Sequence, residues 1–223
     1  MSGSPGRVLV VDDDEAVRVA LKRLLRSAGF NVATLESAAA LLERERDDEP
    51  LCVVLDQRMP GLTGLELQKS LPDDDTVSIV FVTGHGNVPL AVEAMKGDAV
   101  DFLTKPVDET RLIEAVSRGL ERSGHLARQR RERKAFLDRV AHLTPRERQV
   151  GALVIQGLLN KQIAWKLGTA EKTIKVHRAR VMEKLAVGSV AELARLAERT
   201  QTFAASPEDT RHQGPDGPAS DRR

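Results

Sequence analysis

Apolar residues follow two alternating rhythms over the first 120 positions. Short runs at Val8–Val11, Val32–Leu35, Leu51–Leu55, Ile79–Val82 and Asp101–Leu103 read as strands. Three of them, VLVV, LCVVL and IVFV, are apolar without interruption, as expected for strands covered on both faces. Between the runs, apolar residues recur at three- and four-residue steps. The sets are Val17, Leu21, Leu24 and Ala28; Val88, Ala91, Val92 and Met95; and Leu112, Ile113, Val116 and Leu120. Each set lies on one face of a helix. Strands alternating with helices predict an α/β domain, a doubly wound five-stranded parallel sheet with helices on both sides.

The pattern changes after residue 122. Residues 123–142 are arginine-rich with few apolar positions and read as a solvated linker helix. Thr144-Pro145-Arg146-Glu147 then has the spacing of a capping box with proline at the first helical position. Val150, Leu153, Val154 and Leu158 give the helix it opens an inward stripe. A short helix over Lys161–Leu167, a helix-ending Gly168, a third helix over Glu171–Leu185 and a fourth over Ser189–Arg199 follow. Residues 143–200 are therefore expected to form a small all-α domain, and residues 1–122 the α/β domain. The stretch 201–223, rich in Pro, Gly, Ser and charge, is expected to be a disordered tail.

The length, 223 residues, suits two small domains. Net charge is only +1, yet its distribution separates the halves. Residues 1–120 carry 13 basic and 21 acidic side chains, a net of −8, whereas residues 121–199 carry 18 and 8, a net of +10. The basic half thus calls for a polyanionic partner. Aromatics make up only 3 %, with no tyrosine, which argues against stacking of single-stranded bases. No apolar run is long enough for a membrane span, and the first residues lack the pattern of a signal peptide. The single cysteine, Cys52, sits inside an apolar strand and reads as a core residue. These features fit a soluble, cytoplasmic protein.

Candidate chemistry collects at the strand ends. Strand one runs into Asp12-Asp13-Asp14-Glu15, strand three into Asp56, strand four into Thr83 and strand five into Lys105-Pro106. In an open parallel sheet these carboxyl ends border the ligand crevice. Asp14 reads as a helix N-cap, but crowded carboxylates from two strands need a counter-charge. Mg²⁺ is the natural one, since it takes one or two carboxylates, waters and phosphate oxygens. A hydroxyl and an ammonium arrive at the same edge. His85, between two glycines, reads as loop filler.

The segments VVDDDEAVR, LDQRMPGLTGLEL, FVTGHG and DFLTKP resemble, in order, the motifs of the receiver domain of two-component response regulators. That resemblance implies a flavodoxin-like fold and phosphorylation of Asp56 by a sensor histidine kinase. It implies that Asp13 and Asp56 bind Mg²⁺ with the backbone carbonyl of Arg58, while Asp12 orients a metal-bound water. Lys105 would pair with phosphoryl oxygens, Thr83 would hydrogen-bond one of them, and Phe102 would be the aromatic switch. Asp98 stands where the family often has glycine, so an altered turn is expected there.

In the basic half, two short helices joined at a glycine make a helix-turn-helix pattern, whose second helix enters the major groove. Ile174, Val181 and Leu185 share its buried face, which turns Lys172, Lys175, Val176, Ala179 and Arg180 outward; Arg178 falls nearer the apolar side. The segment LTPRERQVGALVIQGLLNKQIAWKLGTAEKTIKVHRARVMEKL resembles the LuxR-type helix-turn-helix. The whole chain is similar to the NarL/FixJ response regulators. The DNA-contact set is then Lys172, Thr173, Lys175, Val176, His177 and Arg180, with the Ser189–Arg199 helix pairing two domains. Ala170, in place of a capping Ser or Thr, and Trp165, in place of a small or charged residue, depart from the family pattern. The function expected is a transcription regulator, not an enzyme, with double-stranded promoter DNA, RNA polymerase and a second phosphorylated copy as partners. Two rivals are an Mg²⁺-dependent phosphate-ester hydrolase and a signalling adaptor whose basic half binds protein or RNA.

Overall fold

Strands β1 (Arg7–Val11), β2 (Asn31–Leu35), β3 (Leu51–Leu55), β4 (Val77–Thr83) and β5 (Asp101–Thr104) pair in parallel in the order β2-β1-β3-β4-β5. The computed structural model describes residues 6–44, 49–72, 76–84 and 86–203, so His85 and the expected tail beyond residue 203 lie outside the described residues. Each strand expected from an apolar run is present, most of them one to three residues longer. Leu9, Val11, Val53, Leu55, Ile79 and Phe81 point to one face of the sheet. They pack there against Leu41 of α2 (Ala38–Leu42), Leu65 and Leu67 of α3 (Gly64–Ser70) and Ala94 of α4 (Val88–Lys96). Val8, Val10, Cys52, Val54, Val80 and Val82 point to the other face. There they meet Leu21 and Leu25 of α1 (Glu15–Ser27) and Leu112, Ala115 and Val116 of α5 (Glu109–Ala141). Double coverage is why these strands read as unbroken apolar runs. Burial pushes the Cys52 thiol up to about 12, so it stays protonated within the core.

Helices α2 and α3, of five and seven residues, are too short to show an apolar period and are absent from the pattern read above. The start of α3 did carry a signal: Thr63 and Glu66 form a reciprocal capping box. Asp14 caps α1 as expected, accepting from Ala16 N and Val17 N. The turn at Asp98 keeps a glycine-like conformation, with φ +74°, rather than an altered one. Arg122 of α5 secures it by pairing with the Asp98 carboxylate and donating to its carbonyl at 3.0 Å.

The chain divides between residues 131 and 132 into two units, and α5 contributes to each. Residues 128–135 of this helix are solvent-facing apart from the half-buried Arg130. Its flanks are not. Ser123 is fully buried; its hydroxyl accepts from Leu51 N at 2.7 Å and donates to Thr76 O. Phe136 and Val140 belong to the core of the second unit. That core is completed by Val150, Leu153 and Val154 of α6 (Pro145–Ile155), Ile163 of α7 (Asn160–Lys166), Ile174, Val181 and Leu185 of α8 (Glu171–Leu185) and Leu193 of α9 (Val190–Thr200). Thr144 and Glu147 form the expected capping box on α6. Gly168, at φ +61°, follows the end of α7.

Candidate functional site

Strand register alone brings the acidic groups together. Val11 pairs with Leu55, so the next residues, Asp12 and Asp56, emerge side by side at the carboxyl edge, and Asp56 N donates to Val11 O at 2.9 Å. Thr83 pairs with Thr104, which places Lys105 one residue beyond; Lys105 N donates to Thr83 O at 2.9 Å. Asp12 and Asp56 are only 2 % and 6 % exposed, and Thr83 is fully buried. Helix α3 closes on this edge at Gly64, where a Cβ would lie 2.7 Å from Asp56 O and 2.8 Å from the Phe81 ring. Any side chain at residue 64 would push the helix off the Asp56 backbone.

The Lys105 ammonium binds both carboxylates, at 2.6 Å from Asp12 Oδ2 and 3.2 Å from Asp56 Oδ1. Burial acts to lower its pKa, but the hydrogen bond to Asp12 and the charges of Asp56 and Asp12 outweigh that and hold it above the usual lysine value. The second Asp56 oxygen, Oδ2, accepts from Arg58 N at 2.8 Å. Arg18 of α1 donates to the carbonyls of Asp12 and Asp13 at 2.7 and 2.9 Å, a support that the helical period did not reveal. Gln57, also buried, was missed as well. Its side-chain oxygen accepts from Leu65 N at 3.1 Å and its carbonyl from Gly64 N at 3.0 Å, tying the loop after Asp56 to α3. Phe102 is half-buried beside Phe81, with ring centroids 5.8 Å apart.

The expected metal ligands differ in setting. Asp12 and Asp56 converge, whereas the Asp13 side chain is exposed, and among the described residues no three His, Cys, Asp or Glu side chains group closely enough to hold a metal. Lys105 instead lies across the two buried carboxylates as their shared counter-ion. The donor chemistry still suits Mg²⁺, which needs only one or two carboxylates beside water and phosphate oxygens. Two buried carboxylates against one ammonium leave an excess negative charge that a hard dication would neutralise.

In the second unit, α7 and α8 stand in the helix-turn-helix relation. Ile174, Val181 and Leu185 are buried, while Lys172, Thr173, Lys175, Val176, Ala179 and Arg180 are exposed. His177 is half-buried, and its Nδ1 is shielded without a hydrogen-bond partner among the described residues. Arg178 turns toward α7 and donates to Asn160 Oδ1 at 3.1 Å, which makes it a strut of the motif. Ala170 supplies no side-chain cap to α8. The apolar side of α9 is spent inward through Leu193 and Ala197. Among the described residues no helix is long and apolar enough to cross a membrane.

Comparison with known proteins assigns both halves of the chain to families. Residues 8–117 match the response regulator receiver domain, and residues 141–197 match the bacterial regulatory proteins of the luxR family. The chain is 47 % identical over 191 residues to the transcriptional regulatory protein FixJ of Azorhizobium caulinodans, covering 85 % of this chain and 90 % of the relative. It is 43 % identical over 196 residues to nodulation protein W of Bradyrhizobium diazoefficiens, covering 86 % and 85 %. Among solved structures, the response regulator StyR matches with TM-score 0.74 at 47 % identity, over 86 % of this chain and 98 % of that one. Full-length FixJ from B. japonicum matches with TM-score 0.51 at 42 % identity, over 89 % and 98 %.

Proposed function

Because the chain belongs to the two-component response regulators, joining a receiver domain to a LuxR-type DNA-binding domain, we propose that phosphorylation of Asp56 by a sensor histidine kinase switches its binding to promoter DNA. The observation that carries this reading is the Asp12–Lys105–Asp56 arrangement: a buried carboxylate with a lysine ammonium already on it. Asp56 Oδ1 attacks the phosphorus of the kinase phosphohistidine; the new O–P bond forms as the P–N bond breaks, and the departing imidazole takes its proton from solvent. The Arg58 amide holds Oδ2 meanwhile, so the nucleophile stays aimed. Asp12, Asp13, Asp56 and the Arg58 carbonyl are the groups that would hold Mg²⁺, which when bound neutralises charge on the transferring oxygens.

Modification replaces a carboxylate of charge −1 by a group of roughly −2, by analogy with other phosphorylated side chains. Lys105 moves from Asp12 onto the phosphoryl oxygens, and the Thr83 hydroxyl donates to one of them. Phe102, whose ring lies tilted beside Phe81, then repacks at the β4–β5 edge, which shifts the population toward a receiver that pairs with a second copy. Two basic domains so paired read half-sites about one helical turn apart. Lys172, Thr173, Lys175, Val176, His177 and Arg180 supply base and phosphate contacts, and the bound dimer recruits RNA polymerase to activate transcription. Footprinting of genomic fragments with and without a small phosphoryl donor tests this. Protection should strengthen with the donor for the wild type and not for Asp56→Asn. Footprints indifferent to the donor, with Asp56 shown to be modified, would refute the switch.

A further inference from the structure

Trp165 is 87 % exposed, the most exposed large apolar side chain among the described residues. It is the chain's one tryptophan, and it lies on the outer side of α7, opposite the buried Ile163 and Ala164. The same outer side carries Lys161, Gln162 and Lys166, all exposed. Single exposed apolar residues are ordinary on a protein surface, so exposure alone says little. The charge pattern says more. From Arg148 to Ala170 the chain contains no Asp or Glu, so the outer side of α7 offers ammonium groups, an amide and an indole N–H with no carboxylate among them. Such a surface repels cations and suits a row of phosphates. The turn 167–170 then leads directly into α8, and in a helix-turn-helix the first helix crosses the DNA backbone while the second enters the groove. An indole suits this position, because it donates one N–H and covers sugar with its ring at little cost in rotamer freedom.

We infer that the outer side of α7 is a second DNA contact, in which Trp165 packs on the sugar–phosphate backbone beside the recognition helix with Lys161 and Lys166 flanking it. The inference rests on the DNA-binding reading of the second unit and extends it to a residue outside α8. Its chemistry is sequence-independent, so it adds affinity without adding base preference.

The lone tryptophan makes the test direct. The full-length chain is titrated with a mixed-sequence duplex of about 40 base pairs, long enough for two half-sites. Trp165 emission and the anisotropy of labelled DNA are followed together at several salt concentrations. On binding, emission should shift or quench in step with anisotropy. Trp165→Ala should weaken binding about five- to tenfold and Trp165→Phe by less, both with an unchanged salt slope, since no charge is lost. Lys161→Ala should instead lower the slope by about one. If anisotropy reports binding while Trp165 emission stays constant and Trp165→Ala binds like the wild type, the inference is wrong and the α8 reading stands. If Lys175→Ala and the wild type alike show no duplex binding at any salt, the DNA reading itself fails. Emission that responds only when RNA polymerase is added would make the face a protein contact and overturn the inference. Because the side chain is so exposed, none of these substitutions should disturb folding, which far-ultraviolet circular dichroism checks.

Discussion

Replacing Glu147 by glutamine removes one buried charge from the DNA-binding unit and little else. The Glu147 side chain is 4 % exposed; Oε2 accepts from Lys184 Nζ at 2.7 Å and from Thr144 N at 2.9 Å. The Lys184 hydrogen bond, followed by the Thr144 cap, pulls its pKa from 4.5 down to about 2. At about 1.4 kcal/mol per pK unit, that depression sets a ceiling of roughly 3 kcal/mol on its stability contribution at neutral pH, which solvent at the exposed Lys184 screens to less. Glutamine keeps the acceptor for Thr144 N, and Lys184, with its side chain 38 % exposed, turns to water rather than being stranded. The expected loss at pH 7 is therefore about 2 kcal/mol. The sign follows from a folded pKa below the unfolded one: the contribution is complete above the unfolded value and disappears as pH falls from about 4.5 through about 2. At about pH 3 less than half should remain. Hydrogen exchange of the Val150, Leu153, Ile174 and Val181 amides in the full chain reads the opening free energy of this unit without interference from the sheet. The difference between wild type and variant should be large at pH 7 and shrink on acidification. A gap of equal size at both pH values would show that the charge is not what Glu147 contributes.

Other substitutions probe other links. Lys175→Ala removes an exposed cation whose contact with Glu171, at 3.6 Å, is worth little; DNA affinity should fall with a salt slope smaller by about one, read by anisotropy titration. Ser123→Ala strands the buried Leu51 amide and Thr76 carbonyl, and urea unfolding should show a loss of about 2 kcal/mol in the receiver transition only. Phe136→Ala opens a cavity in the second unit and should cost it about 3–5 kcal/mol, with calorimetry showing the receiver transition in place.

The five strands were legible because parallel strands with both faces covered must be apolar throughout, and VLVV, LCVVL and IVFV leave no other reading. Asp12, Asp56, Thr83 and Lys105 were legible for a related reason: each follows an apolar run, and the carboxyl ends of parallel strands share one edge. The outward residues of α8 followed from its turn angle, and exposure of Lys172, Lys175, Val176 and Arg180 agrees. Helices α2 and α3 were not legible: so short a helix shows at most one apolar repeat, and neither is followed by the glycine stop that marked the equally short α7. Nor were Phe136 and Val140. Surrounded by arginines, they resemble a solvated helix until the rest of the second unit's core is folded around them.

Local pattern, then, settled most of the element types, the division into an acidic and a basic half, and the sheet edge at which Asp12, Asp56, Thr83 and Lys105 collect, since each depends on spacing along a few consecutive residues. Partnership required the fold. That Lys105 bridges Asp12 and Asp56, that Arg18 and Gln57 brace the loops around them, and that Arg178 ties α8 to α7 are contacts between groups on different elements and loops, some of them, as for Lys105, far apart in sequence. Only strand register and helix packing bring such groups within hydrogen-bonding distance, and no one-dimensional pattern encodes which of many carboxylates a given cation will meet.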